Sequence, residues 1–369
     1  MARTPAPEDT VLVDAARGGD EGAFGQLAQR FRPELHAHCY RMLGSTHDAE
    51  DALQETMLRA WRGLGRFEGR SSLKSWLYTI ATNTCLNAIE RRPKRVLPVD
   101  YGPAADPHGG PGEPVVESTW VEPYPDEMLG LEDGYAAPDA TYELRESVEL
   151  AFVAALQHLP PNQRAVLILR EVLGFSAKET AEALDTSVAS VNSALQRARA
   201  SVDERTPEQT QQATLRALGD EELQAIVDRY MKAWETCDVE TVVKLLTEDA
   251  NFAMPPLASW FHGEEALRVF LSGWPLSGDW DWRPVPVRAN GQPALAFYTW
   301  DEDENAYMPF ALNVLTFRGR RISDVTAFVA KSIEPEEREA YFRWPDLEYD
   351  LSRLHGTFEV FGLPPRIER

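Results

Sequence analysis

The sequence predicts a multidomain protein in which two all-α helical domains are followed by a C-terminal α+β domain. Apolar residues recur at i, i+3 and i+4 through most of residues 10–205, which places them on one face of each helix. Strand-like alternation begins only in the last third of the chain. An acidic, proline-rich stretch interrupts the helical part, and 369 residues are too many for one ordinary domain.

The first block, residues 10–95, is expected to fold as helices. Apolar positions follow helical spacing from Ala49 to Leu64, and acidic residues, Asp48 among them, are expected on the remaining surface. A second helix is expected from about Ser72 to Arg92, because Pro93 cannot continue it. Residues 1–95 carry 14 Lys and Arg against 12 Asp and Glu, the one basic surplus in a chain of net charge −22.

The stretch 96–141 is predicted to be a linker, since its prolines and acidic residues, with no Lys or Arg, cannot bury a core. Within it lies a Trp-Val-Glu-Pro-Tyr-Pro-Asp motif, too aromatic for a pure spacer. We interpret Trp120, Pro123, Tyr124 and Pro125 as a regulatory docking segment that binds another part of the same chain. The alternative is that these aromatics lie loosely on a neighbouring surface.

Residues 142–205 are expected to end in a helix-turn-helix. Ser176 and Glu179 have the spacing of a capping box, and Asp185–Ser187 predicts a turn before a last helix from about Val188 to Asp203. The α+β domain is placed at 216–335. It begins with a helix from about Asp220 to Thr236 and contains a hairpin turned at Arg318–Arg320. Residues 336–369 form a tail.

Several classes of protein are disfavoured by the sequence. No apolar run approaches a membrane span, and the first nine residues lack the order of a secretory signal. Three distant cysteines do not suggest a disulfide framework, so we expect a cytoplasmic protein. His36, His38 and Cys39 lack a second ligand cluster, and no cofactor motif occurs, so neither a metal nor a cofactor is expected.

Several motifs in order resemble a known family. Asp48–Glu55, Phe67–Arg70 and Ser75–Thr84 resemble region 2 of the extracytoplasmic-function sigma factors of the sigma-70 family. Leu159–Arg164 through Arg197–Arg199 is similar to region 4. The last part resembles a SnoaL-like domain, a cone of the NTF2-like superfamily, and the combination is similar to the sigma-G and sigma-J type.

The resemblance implies two DNA sites. For the −10 element it implies Trp76, Asn83, Asn87, Arg91, Arg92, Lys94 and Arg95. Asn83 falls where the family reads a flipped base, a task that suits an amide because it both donates and accepts. Without the resemblance, Asn83 would be taken for an ordinary surface residue of a helix.

For the −35 element the resemblance implies Ser187, Ser190, Asn192, Ser193, Arg197 and Arg199. Here the chain departs from the family, because Asn192 and Ala194 stand where a Lys and an Arg are usual. Fewer phosphate contacts predict weaker −35 binding with a flatter salt dependence.

The resemblance also implies core RNA polymerase as the partner, through its β′ clamp and β flap, together with promoter DNA. The residues implied for polymerase binding are Asp48, Glu50, Asp51, Gln54 and Glu55. We therefore expect a non-enzymatic factor that directs promoter-specific transcription and is modulated in cis by the SnoaL-like domain. The alternative is a DNA-binding regulator whose SnoaL-like domain binds or converts a small molecule. In that domain the aromatics Trp260, Trp274, Trp280, Trp282, Tyr298 and Trp300 either fill the cone or line a ligand pocket, with His262 and Asp249 as candidate acid–base residues.

Overall fold

The computed structural model describes residues 7–69, 71–112, 120–129, 144–207, 209–330 and 351–369. The chain divides into two compact units. Unit 1 comprises residues 1–95, 127–131 and 151–207, and unit 2 comprises residues 96–126, 132–150 and 208–369. Among the described residues, no helix is both long enough and apolar enough to cross a membrane.

The first part of unit 1 is built from α1 (Pro7–Arg17), α2 (Glu21–Leu43), α3 (Thr46–Leu64) and α4 (Leu73–Ile89). The first residues of α2, α3 and α4 are determined by capping side chains. The side chains of Asp20, Ser45 and Ser72 accept hydrogen bonds from backbone N–H groups in the first turns of α2, α3 and α4, respectively. The core between the helices contains fully buried Leu35, Tyr40 and Leu53. The expected helix after Ser72 is present but ends at Ile89 rather than Arg92.

The second part of unit 1 contains α5 (Leu150–Gln157), α6 (Pro161–Leu167) with a π-helical extension to Val172, α7 (Ala177–Ala183) and α8 (Val188–Asp203). The capping box predicted at Ser176 and Glu179 is confirmed, with both reciprocal hydrogen bonds formed. The last helix begins and ends at the predicted residues. Together α7 and α8 form the predicted helix-turn-helix, with Asp185 in a left-handed conformation at the turn.

Unit 2 contains the predicted α+β domain together with most of the predicted linker. Its helices include α9 (Gln211–Leu218), α10 (Asp220–Glu235), α11 (Val239–Leu245) and α12 (Glu264–Gly273), besides a short helix at Pro98–Tyr101. Its strands are β1 (Leu246–Ala253), β2 (Trp260–His262), β3 (Trp282–Ala289), β4 (Gln292–Asp301), β5 (Ala306–Arg318) and β6 (Arg321–Val329). The described strands form one sheet in the order β2-β1-β6-β5-β4-β3, in which only the β1–β6 pair is parallel. The β5–β6 hairpin turns at Gly319, as predicted.

The sheet of unit 2 has an apolar cluster on each face. Helices α9–α12 contribute to the larger cluster, which includes Trp234, Phe252 and Phe297. The smaller cluster contains Tyr298, Tyr307 and Phe358, the last of these from α13 (Leu351–Val360). The chain after α13 adds a short bridge, in which Tyr307 and Ile367 exchange backbone hydrogen bonds of 2.8 and 2.9 Å. The C-terminal tail therefore covers this second face.

Candidate nucleic-acid and polymerase interface

The basic segment after α4 is held by a carboxylate from α3. Asp48 Oδ2 accepts a hydrogen bond of 2.6 Å from Arg95, and Asp48 Oδ1 forms an ion pair with Arg92. Asp48 is only 2% exposed, so the expectation that it lies on the open acidic face of α3 is wrong. Arg95 is also buried, and in this arrangement it is not available to a DNA phosphate. This pairing could not be predicted from the sequence, because the two residues lie 47 positions apart.

The other residues predicted to bind polymerase form the outer surface of α3. Glu50 and Glu55 are half-buried, whereas Asp51 and Gln54 are exposed. Glu50 accepts hydrogen bonds from Arg32 (2.5 Å) and Gln54 (3.0 Å). Partial burial by itself would raise the pKa of Glu50, but these two hydrogen bonds lower it overall. The surface is therefore anionic, and its partially exposed ion pairs are weak enough to exchange for a partner's cations.

Helix α4 presents two amides to solvent on one face. Asn83 and Asn87 are both exposed and lie one helical turn apart. Trp76 is half-buried, with its ring 5.0 Å from that of Phe67, so it also has a packing role. Arg91 is exposed near the end of the helix, and Lys94 Nζ lies 2.7 Å from His158 Nδ1. Asn83, Asn87, Arg91, Arg92 and Lys94 are thus exposed, whereas Trp76 is half-buried and Arg95 is buried.

Helix α8 exposes all of the residues predicted for the −35 element, namely Ser187, Ser190, Asn192, Ser193, Arg197 and Arg199. Ser187 caps the helix by accepting a hydrogen bond from the Ser190 N–H at 3.1 Å. Arg199 donates to Glu171 at 2.6 Å, which partly neutralises one of the two arginines on this face. The surface of α8 is therefore polar with little net positive charge.

The tryptophan–tyrosine motif of the linker belongs to unit 2. Trp120 is buried, and Tyr124 is fully buried. The backbone N–H of Tyr124 donates to Asn290 Oδ1 at 2.9 Å, and its carbonyl accepts from the Asn290 N–H at 2.8 Å. Pro125 forms an isolated bridge with Ala289, and Pro123 is buried. The segment is thus fixed against the end of the β3–β4 hairpin.

The Asn290-Gly291 turn between β3 and β4 contacts further parts of the interrupted chain. The Gly291 N–H donates to Asp126 Oδ1 at 2.7 Å, and Asn290 Nδ2 donates to the Val148 carbonyl at 2.8 Å. Gln292 Oε1 accepts from the Leu150 N–H at 3.0 Å. The consecutive residues 290–292 therefore bind two separate segments of the chain. One is the linker at residues 124–126, and the other is at residues 148–150, where the second helical block begins.

Two buried carboxyl groups complete this region of unit 2. Burial raises the pKa of Asp126 to about 6, although Gly291 and nearby arginines oppose the rise. Glu149 accepts hydrogen bonds from the backbone N–H groups of Gln211 (3.1 Å) and Gln212 (2.8 Å) and so caps α9. Burial nevertheless raises the pKa of Glu149 to about 7. Asp126 lies in the predicted docking motif, but sequence reasoning missed Asn290 and Glu149, although the Asn-Gly pair is a recognisable hairpin signal.

The interior of the cone is filled by aromatic side chains. The cavity among Trp234, Trp282 and Phe310 has a volume of about 20 Å³, which is room for about one water molecule. Trp274 and Trp280 pack beside it. Tyr298 and Trp300 were expected in the cone, but they lie on the opposite face of the sheet, since side chains alternate along β4.

The candidate acid–base residues do not meet in this cavity. His262 is exposed and lies 2.8 Å from Asn251 Oδ1, whereas exposed Asp249 forms an ion pair with Arg318. His36 and His38 are buried in unit 1, and burial lowers the pKa of His38 to about 3. No group of metal-binding side chains occurs among the residues that the structure describes.

Comparisons with known proteins agree with this geometry. Residues 27–95 match the model of sigma-70 region 2, residues 149–202 match sigma-70 region 4, and residues 227–325 match the SnoaL-like domain. The chain is 44% identical to the ECF RNA polymerase sigma factor SigG of Mycobacterium tuberculosis over 317 residues, covering 85% of this chain and 83% of the relative. It is 32% identical to SigM of the same organism over 52% of this chain and 81% of SigM.

A solved structure extends the similarity to the fold. The crystal structure of the extracytoplasmic function sigma factor SigJ of Mycobacterium tuberculosis superposes with a TM-score of 0.53 at 22% identity, covering 85% of this chain and 98% of SigJ. With its two sigma-70 regions, its SnoaL-like domain and its extensive identity to SigG, the chain belongs to the extracytoplasmic-function family of RNA polymerase sigma factors.

Proposed function

We propose that this chain binds core RNA polymerase in the cytoplasm, directs it to promoters through α4 and α8, and is modulated in cis by unit 2. The observation that carries the proposal is the occurrence of regions 2 and 4 in order within a chain 44% identical to a sigma factor over most of its length. Run-off transcription with core polymerase and the full chain tests it. Promoter-specific transcripts are expected, and their absence at all promoters of a genomic library would contradict the proposal.

For polymerase binding we propose the outer surface of α3, with Glu50, Asp51, Gln54 and Glu55 facing the basic helices of the β′ clamp. Asp48 lies buried beneath this surface and forms ion pairs with Arg92 and Arg95, so we assign it no contact with the polymerase. The double variant Asp51→Lys/Glu55→Lys should weaken co-purification with core polymerase. Lys178→Glu, a charge change on exposed α7, serves as the control.

For the −10 element we propose that Asn83 reads an unstacked base and that Asn87 and Arg91 bind beside it. Asn83 and Asn87 are exposed one helical turn apart on α4, and Arg91 is exposed just after the helix, which supports this assignment. Removing one bidentate amide–base contact costs about 1–3 kcal/mol, or about 5- to 150-fold in discrimination. Asn83→Ala should therefore reduce open-complex formation at the native promoter more than at a promoter with the read base changed. An equal reduction at both promoters would argue against base reading.

For the −35 element we propose weak binding through Ser190, Asn192 and Ser193, with phosphate contacts from Arg197. The ion pair of Arg199 with Glu171 further lowers the positive charge available to DNA. The β flap of the polymerase would then hold region 4 at the promoter. Gel-shift affinity over a salt series should show a shallow slope, and a steep slope abolished by Arg197→Gln alone would contradict this proposal.

We further propose that docking of the linker on unit 2 is the regulatory step. Supporting this, the Asn290–Gln292 turn binds Tyr124 and Asp126 of the linker as well as Val148 and Leu150 at the start of region 4. Loss of this docking would free the connection between regions 2 and 4. Asn290→Ala should change run-off transcription at least severalfold relative to Asn305→Ala, a turn variant without these contacts, whereas identical activities would exclude regulation by docking.

The alternative, a SnoaL-like domain that binds or converts a small molecule, has less support. A cavity of about 20 Å³ has no room for a metabolite, and His262 and Asp249 are engaged elsewhere. The relatives named above are sigma factors, which agrees with a chain that has no catalytic activity of its own. Turnover of a substrate by the purified chain that is lost in His262→Ala would reverse this order of preference.

A further inference from the structure

Unit 1 contains a cavity that the sigma-factor assignment does not explain. It has a volume of about 350 Å³ and lies between the segment after α4 and the α5–α6 turn. Arg92, Lys94 and Arg95 line it from the first helical block, and His158 and Arg164 line it from the second. This volume lies within the range of small-ligand pockets, about 300–1,000 Å³.

The cavity has an excess of positive charge. Four of its lining residues are Arg or Lys, whereas Asp48 is the one carboxylate among those that line it. Asp48 is shared between Arg92 and Arg95, so it offsets only part of their charge. Lys94 Nζ is 2.7 Å from a nitrogen of His158, which is a neutral acceptor only when the imidazole is deprotonated. The lining thus carries a surplus of about three positive charges.

Arg164 contributes a buried charge whose hydrogen bonds go to neutral groups. Its guanidinium donates to the Met42 and Leu159 carbonyls and to both the side chain and the backbone of Gln157. Its Nε is buried without a hydrogen-bond partner among the described residues. Burial lowers the pKa of Arg164 to about 10, because its charge lacks full compensation. A buried cation in this state is stabilised by an anion.

We propose that this cavity binds a small phosphate-bearing ligand, with Arg92, Lys94, Arg95 and Arg164 as its cationic contacts. A multiply charged anion matches a surplus of several positive charges better than a single carboxylate does. Guanidinium groups also match phosphate oxygens in geometry. Asp48 orients Arg92 and Arg95 in advance, which lowers the entropic cost of binding. The ligand would bridge both sigma regions, and the inference does not depend on which promoter they read.

Isothermal titration calorimetry of the full chain without polymerase tests the proposal, with inorganic phosphate, pyrophosphate and adenosine 5′-triphosphate as probes. Saturable binding is expected, tighter for pyrophosphate than for phosphate. Lys94→Gln should weaken it about tenfold, since one charge-assisted hydrogen bond is lost, and Lys94→Glu should weaken it further. Lys94 lines the cavity and is exposed, so a substitution at this position leaves the core intact.

Lys178→Gln is the matched control, because Lys178 is an exposed lysine of α7 outside the cavity. Tighter binding of the triphosphate than of pyrophosphate would identify a nucleotide as the ligand class, and equal binding would identify a free oligophosphate. Both outcomes support the site. Absence of saturable heat with all three probes would overturn it, as would equal weakening by Lys94→Gln and Lys178→Gln, or binding unchanged in Lys94→Glu.

Discussion

The Asn290 side chain offers a direct test of how the linker is held on unit 2. Asn290 is fully buried and has a φ of 56°, a left-handed conformation that asparagine tolerates better than alanine. Its Oδ1 accepts from the Tyr124 N–H, and its Nδ2 donates to the Val148 carbonyl. Asn290→Ala removes both partners and leaves two buried backbone groups without hydrogen bonds.

The expected cost follows from these contacts. Each unsatisfied buried group costs about 1–3 kcal/mol, which gives about 2–6 kcal/mol for the pair. The left-handed backbone adds about 1–2 kcal/mol for alanine, so the total is about 3–8 kcal/mol. Asn305→Ala is the matched control, because Asn305 also has a positive φ (48°) but is exposed in the β4–β5 turn. Asn305→Ala should lower the free energy of unfolding only by the about 1–2 kcal/mol that the left-handed backbone costs alanine.

Hydrogen exchange at the Tyr124 amide measures this difference locally, and urea unfolding measures it globally. A cost of 3 kcal/mol or more corresponds to exchange faster by about 100-fold or more in Asn290→Ala. In Asn305→Ala the Tyr124 amide should exchange nearly as in the parent chain. Equal exchange rates of the Tyr124 amide in the two variants would show that the Asn290 side chain does not hold the linker. An equal fall in the free energy of unfolding would show the same.

Three further predictions concern other contacts. Because burial raises the pKa of Glu149 from 4.5 to about 7, the free energy of unfolding of unit 2 should fall by about 3 kcal/mol as the pH rises from about 4.5 to about 7. Glu149→Gln should flatten this dependence in urea titrations, and an unchanged slope would contradict the assignment. Asp48→Asn leaves buried Arg95 without its carboxylate and should lower the free energy of unfolding by about 3–5 kcal/mol. The control Asp51→Asn, at an exposed carboxylate, should lower it by less than about 1 kcal/mol. Equal losses of stability in urea unfolding would contradict this prediction. Deletion of residues 351–369 uncovers Tyr298 and Tyr307 and should cause self-association in sedimentation experiments, and a strictly monomeric truncated chain would show that the tail is not needed as a cover.

Much of the local structure could be predicted from the sequence, because capping and turn chemistry depend on neighbouring residues. The capping box at Ser176 and Glu179, the bounds of α8 and the turn at Gly319 are decided within a few positions of the chain. The sigma-factor family was also evident from motif order, and the comparisons confirm it. The assignment of individual residues to DNA and polymerase stays a prediction.

The tertiary structure decided which charged residues are available and which are already paired. Asp48 and Arg95 lie far apart in sequence but are buried together, so a pattern of acidic residues along α3 could not show that one of them faces inwards. The linker likewise lacks the composition to fold alone, yet Tyr124 is buried against a turn 166 residues away. Burial and ion pairing depend on contacts between distant segments, and these contacts are set only when the whole chain folds. The helices of the sigma regions are determined by neighbouring residues in the sequence. The docking of the linker that connects these regions is determined only by the tertiary structure.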